Sequence, residues 1–257
     1  RMLKILLSND DGINAKGLRV LYEELRDIAK VFVIAPDNNQ SGAGCSITTK
    51  RPLKAKPIED NFIAINGTPA DCVYLGLNSL CPFKPDLVIS GINSGVNVAE
   101  DLLYSGTVGA ALEGRYTRFP SISVSVEYPH NKIKEMEPNY RTASLVVRKL
   151  IQNISTLDID STITLNVNVP NLEYKDLKGV LMSKIGTWGN RNPPEIEIQA
   201  NGDKRYWISP RKSHPLNLND TDISILEKDM VSVTPLSVNF LSGESGRLNS
   251  WLGSTFL

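Results

Sequence analysis

Apolar residues recur along this chain with two periods, one of a buried strand and one of an amphipathic helix. Lys4–Ser8 is a short apolar run, the pattern of a strand covered on both faces. From Lys16 to Ala29 the apolar positions are Leu18, Leu21, Tyr22, Leu25, Ile28 and Ala29, which predicts a helix. Val31–Ala35 is the next strand, closed by Pro36-Asp37, so the chain opens with a βαβ unit of right-handed crossover. A polar loop, Asp37–Gly44, precedes short strands expected at Ile47–Thr49, Leu53–Ala55 and Phe62–Ile65. Gly67-Thr68-Pro69 opens a helix, with Thr68 as N-cap and Pro69 at its first position. A core strand at Asp86–Ser90, a small-residue helix at Thr107–Tyr116, a strand at Ser121–Val126 and an amphipathic helix at Tyr140–Ile154 follow.

After Thr162–Val169, which Pro170 ends, the pattern changes. Short strands at Gly179–Lys184, Glu195–Gln199, Arg205–Ile208 and Met230–Thr234 alternate with turns, and Asn201-Gly202 marks a hairpin. The fold class expected is α/β: a Rossmann-like, doubly wound, mostly parallel sheet with a β-rich C-terminal extension. Residues 2–170 form the α/β core, and residues 171–257 complete the same domain rather than fold alone.

Composition removes several classes of function. Lys+Arg and Asp+Glu are both 28 in 257 residues, so the net charge is zero and no nucleic-acid surface is expected. No apolar run approaches the roughly 20 residues of a membrane helix. Leu3–Leu7 is too short for the core of a signal peptide. Cys45, Cys72 and Cys81 form no C-x-x-C pair, which fits free thiols in the cytoplasm. Histidine is confined to His130 and His214, so a triad or a His-rich zinc site has little to draw on. A bound metal would be a hard cation, magnesium or manganese, on oxygen ligands.

In an open α/β sheet, ligands bind beyond the carboxyl ends of the strands. Asp10-Asp11 ends the first strand, Asn38-Asn39-Gln40-Ser41-Gly42 the second, and Gly91-Ile92-Asn93-Ser94-Gly95-Val96-Asn97 the strand at 86–90. These loops bring two adjacent carboxylates and several neutral oxygens to one rim, the donor set of a divalent-cation site. Ser105-Gly106-Thr107 then leads into a helix whose first N–H groups, with two hydroxyls, form an anion cradle. Cation site and cradle together suggest phosphoryl transfer to a metal-activated water. Taken singly, each stretch also fits a structural role. An acidic pair after a strand suits a turn or cap, the Ser41 loop has ordinary loop composition, and Ser105–Thr107 suits a helix cap. Gly67–Asp71 fits either a capping motif or the pocket wall. Cys72 reads as core, His214 as a loop residue, and Trp188 and Trp207 as packing or interface residues.

LLSNDDG (6–12), APDNNQSGAGCSIT (35–48), GTPADCV (67–73), SGINSGVN (90–97) and YSGTVGAALEG (104–114) resemble the signature blocks of the SurE, or survival protein E, nucleotidases. LNVNVP (165–170), YWI (206–208) and VSVTPL (231–236) extend the likeness more loosely. The resemblance implies a metal-dependent phosphomonoesterase acting on nucleoside 5′-monophosphates, with 3′-monophosphates as a second class. It implies one magnesium or manganese ion per subunit, held by Asp10, Asp11, Ser41 and Asn93. Phosphate would be held by Asn97, Ser105, Gly106 and Thr107, and either aspartate would act as the catalytic group on the attacking water. It also implies a homodimer or homotetramer whose C-terminal hairpin and final helix reach a neighbouring subunit.

Two other enzyme classes place carboxylates at this rim. Haloacid-dehalogenase-type phosphatases space theirs as D-x-D, whereas these are adjacent; nucleoside hydrolases break a glycosidic bond instead. The non-enzymatic alternative is a magnesium- and nucleotide-binding sensor, which would bind metal without turnover.

Overall fold

The computed structural model describes residues 2–129, 137–189, 192–208, 219–239 and 245–256; His130 and His214 lie outside them. The chain begins with the expected βαβ unit: β1 (Leu3–Ser8), α1 (Lys16–Leu25) and β2 (Ala29–Pro36). β1 and β2 are parallel, in register from Leu3↔Ala29 to Leu7↔Val33. β3 (Ala55–Glu59), β4 (Phe62–Ile65), α2 (Pro69–Leu75), β5 (Leu87–Ser94), α3 (Gly106–Glu113), β6 (Ser121–Val126), α4 (Tyr140–Gln152) and β7 (Thr164–Val169) follow. Beyond them come β8 (Val180–Met182), β9 (Glu195–Ile198), β10 (Lys204–Trp207), α5 (Asp222–Leu226), β11 (Val231–Leu236) and α6 (Ser245–Phe256).

Nine strands form one sheet in the order β3-β4-β2-β1-β5-β6-β7-β11-β8, and β9 pairs with β10 in a separate antiparallel hairpin. Within the large sheet only the β3/β4 and β7/β11 pairs are antiparallel. The chain winds from β1 toward β2 and later returns to lay β5 on β1's other side, with Ser8 opposite Ser90. A crevice therefore opens beyond the ends of β1 and β5.

α1 and α4 cover one face, where Leu18, Leu21, Leu25, Ala143, Val147 and Ile151 meet Ile5, Leu7, Val33 and Ile89 in one core. On the other face α2 and α3 place Cys72, Val73 and Ala110 on Leu6, Ile34 and Val88. Arg148 fastens α4 to α1, donating to both carboxylate oxygens of Asp27 at 2.7 and 2.9 Å. None of the helices among the described residues is long and apolar enough to cross a membrane.

The departures from the expected elements are local. No strand forms at 47–49, where Ile47 is exposed. The strand expected at 53–55 starts instead at Ala55, as a fully exposed edge that tolerates Pro57. α1 stops at Leu25 because the Val31–Ile34 run draws the chain into β2 as early as Ala29. β5 runs four residues beyond Ser90, past a bulge.

Candidate functional site

Asn9 shapes the acidic turn. Its side-chain amide donates to the Gly12 carbonyl at 2.9 Å and its Oδ1 accepts from Gly12 N at 3.2 Å, which closes a tight turn around Asp10 and Asp11. The loop after β2 is tied to this turn by Gln40 N, which donates to the Asp10 carbonyl at 2.7 Å. Ser41, next to it, is exposed at the rim, with its N–H donated to Asn39 Oδ1 at 2.8 Å. On β5 one extra residue separates the Ser90↔Ser123 and Asn93↔Ser125 pairs, a bulge that re-aims Asn93. Gly91 is required there, since a Cβ would lie 2.3 Å from the Val124 carbonyl oxygen. The Asn93 amide nitrogen is taken by the Gly95 carbonyl at 2.8 Å, which leaves Oδ1 as the donor atom for a cation.

The start of α3 lies directly against Asp10. The Thr107 hydroxyl donates to Asp10 Oδ1 at 2.5 Å, and a Cβ on Gly106 would lie 2.8 Å from Asp10 Cβ. Only glycine allows this approach. Ser105 caps the helix by accepting from Val108 N at 3.1 Å. Asp10 is 4% exposed. Burial raises its pKa, opposed by the Thr107 hydroxyl and by N–H groups that include those of Gly106 and Thr107. Asp11 is half-buried, and burial, then the Asp10 charge, pushes its pKa up to about 6 against a weaker contribution from the Ser94 N–H. The Thr107 hydroxyl, expected at a phosphate, is thus turned to the first aspartate.

Asn97 sits over the ends of β6 and β7 on a buried polar bed. Its N–H donates to Asn168 Oδ1 at 2.8 Å, and its carbonyl accepts from Asn166 Nδ2 at 2.9 Å and Asn168 Nδ2 at 3.0 Å. Its own amide donates to Ser125 Oγ at 2.8 Å. Ser123 donates to Asn166 Oδ1 at 2.9 Å, which fixes that amide in turn. Sequence reasoning missed Asn9, Asn166 and Asn168 as site residues. For Asn166 and Asn168 the one signal is polar residues alternating with apolar ones in Thr164–Val169, beside the same alternation in Ser121–Val126, on strands buried throughout; Asn9 carries none beyond its place before the acidic pair.

Contacts therefore join Asp10 to Gly106, Thr107 and Gln40, and bring Asp11 to Ser94, the neighbour of Asn93. Asp71 belongs to the capping motif: its Oδ2 accepts from Thr68 N at 2.9 Å and its Oδ1 from Thr48 N at 2.8 Å. Cys72 is core, and burial lifts its thiol well above the ordinary range. Trp188 packs with Val96, Val98 and Ala99.

The donor set fits a hard divalent cation. No salt bridge among the described residues engages Asp10 or Asp11, so their paired charge is left for a cation. No three His, Cys, Asp or Glu side chains gather anywhere among the described residues, which leaves two carboxylates supplemented by neutral oxygens.

Comparison with known proteins gives the family and the fold. Residues 5–192 match the family described as Survival protein SurE. The chain is 40% identical over 251 residues to 5′-nucleotidase SurE of Coxiella burnetii (strain Dugway 5J108-111), covering 97% of this chain and 95% of that protein. It is 38% identical to 5′-nucleotidase SurE of Pseudomonas putida (strain W619), over 97% of this chain and 98% of the other. The crystal structure of the SurE protein from Aquifex aeolicus superposes with a TM-score of 0.83 at 36% identity, over 97% of this chain and 99% of that one. With its signature loops gathered on one rim and its likeness running nearly end to end, this chain belongs to the SurE family.

Proposed function

We propose that the protein is a divalent-metal-dependent phosphomonoesterase that releases inorganic phosphate from nucleoside 5′-monophosphates, with 3′-monophosphates as a second class. The single observation that carries this is the start of α3 packed on the adjacent carboxylates Asp10 and Asp11, which no salt bridge among the described residues neutralises. The nucleotide as substrate rests on the 5′-nucleotidase relatives.

Asp10, Asp11, Ser41 and Asn93 would hold one magnesium or manganese ion per subunit. When bound, that ion supplies charge neutralisation and a water acidic enough to attack near neutral pH. The Thr107 hydroxyl fixes the Asp10 carboxylate through Oδ1 and helps keep it ionised. Asp10 or Asp11 would take a proton from the attacking water. The N–H groups at the start of α3, with Ser105, Gly106 and Thr107, and the Asn97 amide would orient the phosphate for in-line displacement.

We place the protein in the cytoplasm on its three free cysteines. Residues 171–257 complete the core domain by supplying β8 and β11 to its sheet. A homodimer or homotetramer is supported by apolar side chains left exposed on the hairpin, Ile196, Ile198, Tyr206 and Trp207, and on α6, Leu248 and Trp251.

The experiment is phosphate release from a panel of nucleoside 5′- and 3′-monophosphates after chelation, then with magnesium or manganese restored. Release that returns with metal, and is lost in both Asp10→Ala and Asp11→Ala, is the expected result. Metal binding without turnover on any substrate would replace the phosphatase with a nucleotide-binding sensor. Free base as product would indicate a nucleoside hydrolase.

A further inference from the structure

Between Asn97 and Ser105 the chain crosses from one side of the proposed phosphate site to the other, through Val98 and a helical turn, Ala99–Tyr104. Ala99 begins that turn at φ +51°, a left-handed conformation that a residue bearing a Cβ adopts only when its surroundings hold it there. Its N–H donates to Asp222 Oδ2 at 2.8 Å. Asp222 is fully buried, and its Oδ1 accepts from Gly186 N at 2.8 Å and Ile223 N at 2.9 Å. Three backbone N–H groups from separate parts of the chain thus converge on one carboxylate. Both oxygens are needed, because an asparagine there would turn its NH₂ toward one of those donors.

Asp222 is itself held rigidly. Its N–H donates to the Lys184 carbonyl at 2.8 Å, and Thr221 and Ser224 form a reciprocal capping box at the start of α5. A second tie joins the same segments: Glu100 accepts the Trp188 N–H at 2.9 Å and also the Thr187 hydroxyl. Val98, Ala99, Ile223 and Leu226 close the contact with apolar side chains.

We propose that Asp222, remote in sequence from every signature loop and beyond the residues matched to the family, is a positioning residue of the phosphate site. It fixes the left-handed turn at Ala99, and through it the relative placement of Asn97 and Ser105. The role presupposes the phosphatase activity proposed above.

The test uses the full-length, manganese-loaded protein and reads three quantities: steady-state kinetics on a nucleoside 5′-monophosphate, calorimetric binding of inorganic phosphate, and calorimetric binding of manganese to the stripped protein. In Asp222→Asn, KM and the phosphate Kd should rise about tenfold, the scale set by losing support for one left-handed residue. Manganese affinity should stay within about twofold, because the acidic turn is not part of this clamp, and kcat should fall by no more than KM rises, since Asn97 and Ser105 also orient the phosphate. Adding Ala99→Gly should restore most of the loss, since glycine adopts the turn without help. A general packing defect would not be rescued by removing a methyl group. Gly186→Ala places a Cβ 2.8 Å from Asp222 Oδ1 and displaces the carboxylate without deleting it. It should raise the phosphate Kd in the same way and serves as the variant should Asp222→Asn not fold. Wild-type phosphate affinity in a folded Asp222→Asn or Gly186→Ala protein overturns the proposal, as does a loss that Ala99→Gly leaves uncorrected. A wild-type protein that neither releases nor binds phosphate overturns the phosphatase assignment and this role together, a result distinct from an active wild type with an unaffected variant.

Discussion

Replacing Asp11 with asparagine separates what folding requires from what the reaction requires. Burial and the neighbouring Asp10 charge raise the Asp11 pKa from the ordinary 3.8 to about 6. The folded chain therefore binds this proton more tightly than the unfolded chain does. In metal-free protein the resulting stability is fully present below about pH 4 and is lost as pH rises through 6. Some 2 pH units correspond to about 3 kcal/mol, and screening at a half-buried carboxylate reduces this to about 1–2 kcal/mol. Asparagine carries no charge at any pH. Metal-free Asp11→Asn should thus gain that amount over wild type above pH 7 and nothing below pH 4, or about 2–8 °C in Tm for a chain of this size. The assay is thermal unfolding of chelated protein from pH 4 to 8, wild type beside variant. Asp10, Glu113 and Asp222 are also raised by burial, while Asp27, Asp71 and Asp160 are held low, so the wild-type profile sums groups of both signs and the difference between the two proteins reads the acidic pair. Manganese should restore stability above pH 7 in wild type and not in the variant, which should release no phosphate. A variant less stable than wild type at pH 8, or one that tracks it across the range, would refute the buried like-charge pair.

Gly106→Ala places a methyl carbon 2.8 Å from Asp10 Cβ and 3.0 Å from Pro69 Cγ. It should cost about 1–3 kcal/mol in urea unfolding and lower kcat together with stability. Thr107→Val keeps the shape but removes the hydroxyl donated to Asp10; manganese affinity by calorimetry at pH 7 should fall about 10–100-fold, and an unchanged isotherm would deny Thr107 that part. Asn168→Leu leaves the buried N–H and carbonyl of Asn97 short of partners. A loss of about 2–3 kcal/mol is expected in denaturant unfolding, with a weaker KM for nucleotide, and near-neutral stability would contradict the polar bed.

The order of elements was legible because each strand and helix carries its period in its own residues. Phe62–Ile65 and Ser121–Val126 were read with the boundaries they have. Boundaries failed where a tertiary contact, not a local signal, ends the element. β5 continues to Ser94, past the expected Ser90, because Asn93 and Ser94 pair with Ser125 and Val126 of β6; α3 stops at Glu113, short of the expected Tyr116, with Gly114 at its C-cap. Alternation in SISVSV and TLNVNV likewise resembles strands with one wet face, yet all twelve residues are buried. The hydroxyls and amides face the covering chain around Asn97 and α3 instead of water. At the rim, the signature loops announced Asp10 and Asp11; Asn9 and Asn168 lie inside the quoted blocks LLSNDDG and LNVNVP without any mark of their part, and Asp222 lies in none of the blocks, its partners including the backbone N–H groups of Ala99 and Gly186, far off in sequence.

Those hidden residues show how the rim controls its charge. A third carboxylate would give a divalent cation more negative charge than it can neutralise, and a phosphate dianion would then be repelled. Among the described residues no third His, Cys, Asp or Glu joins Asp10 and Asp11 to form a metal-holding group, and the supports around them are neutral amides, hydroxyls and N–H groups. Asn166 and Asn168 satisfy the buried Asn97 backbone without adding charge, which a low-dielectric bed would otherwise make costly. The buried acid Asp222 turns both oxygens to the backbone N–H groups of Ala99, Gly186 and Ile223, and the buried Asp71 turns its own to those of Thr48 and Thr68. Two charges for one cation, with neutral supports for an anion, is the arrangement that the proposed metal-dependent phosphomonoesterase would use. An Asn168→Asp substitution tests that balance directly: the added carboxylate should raise the KM for a nucleoside monophosphate more than Asn168→Leu does, although its Oδ1 still accepts the Asn97 N–H.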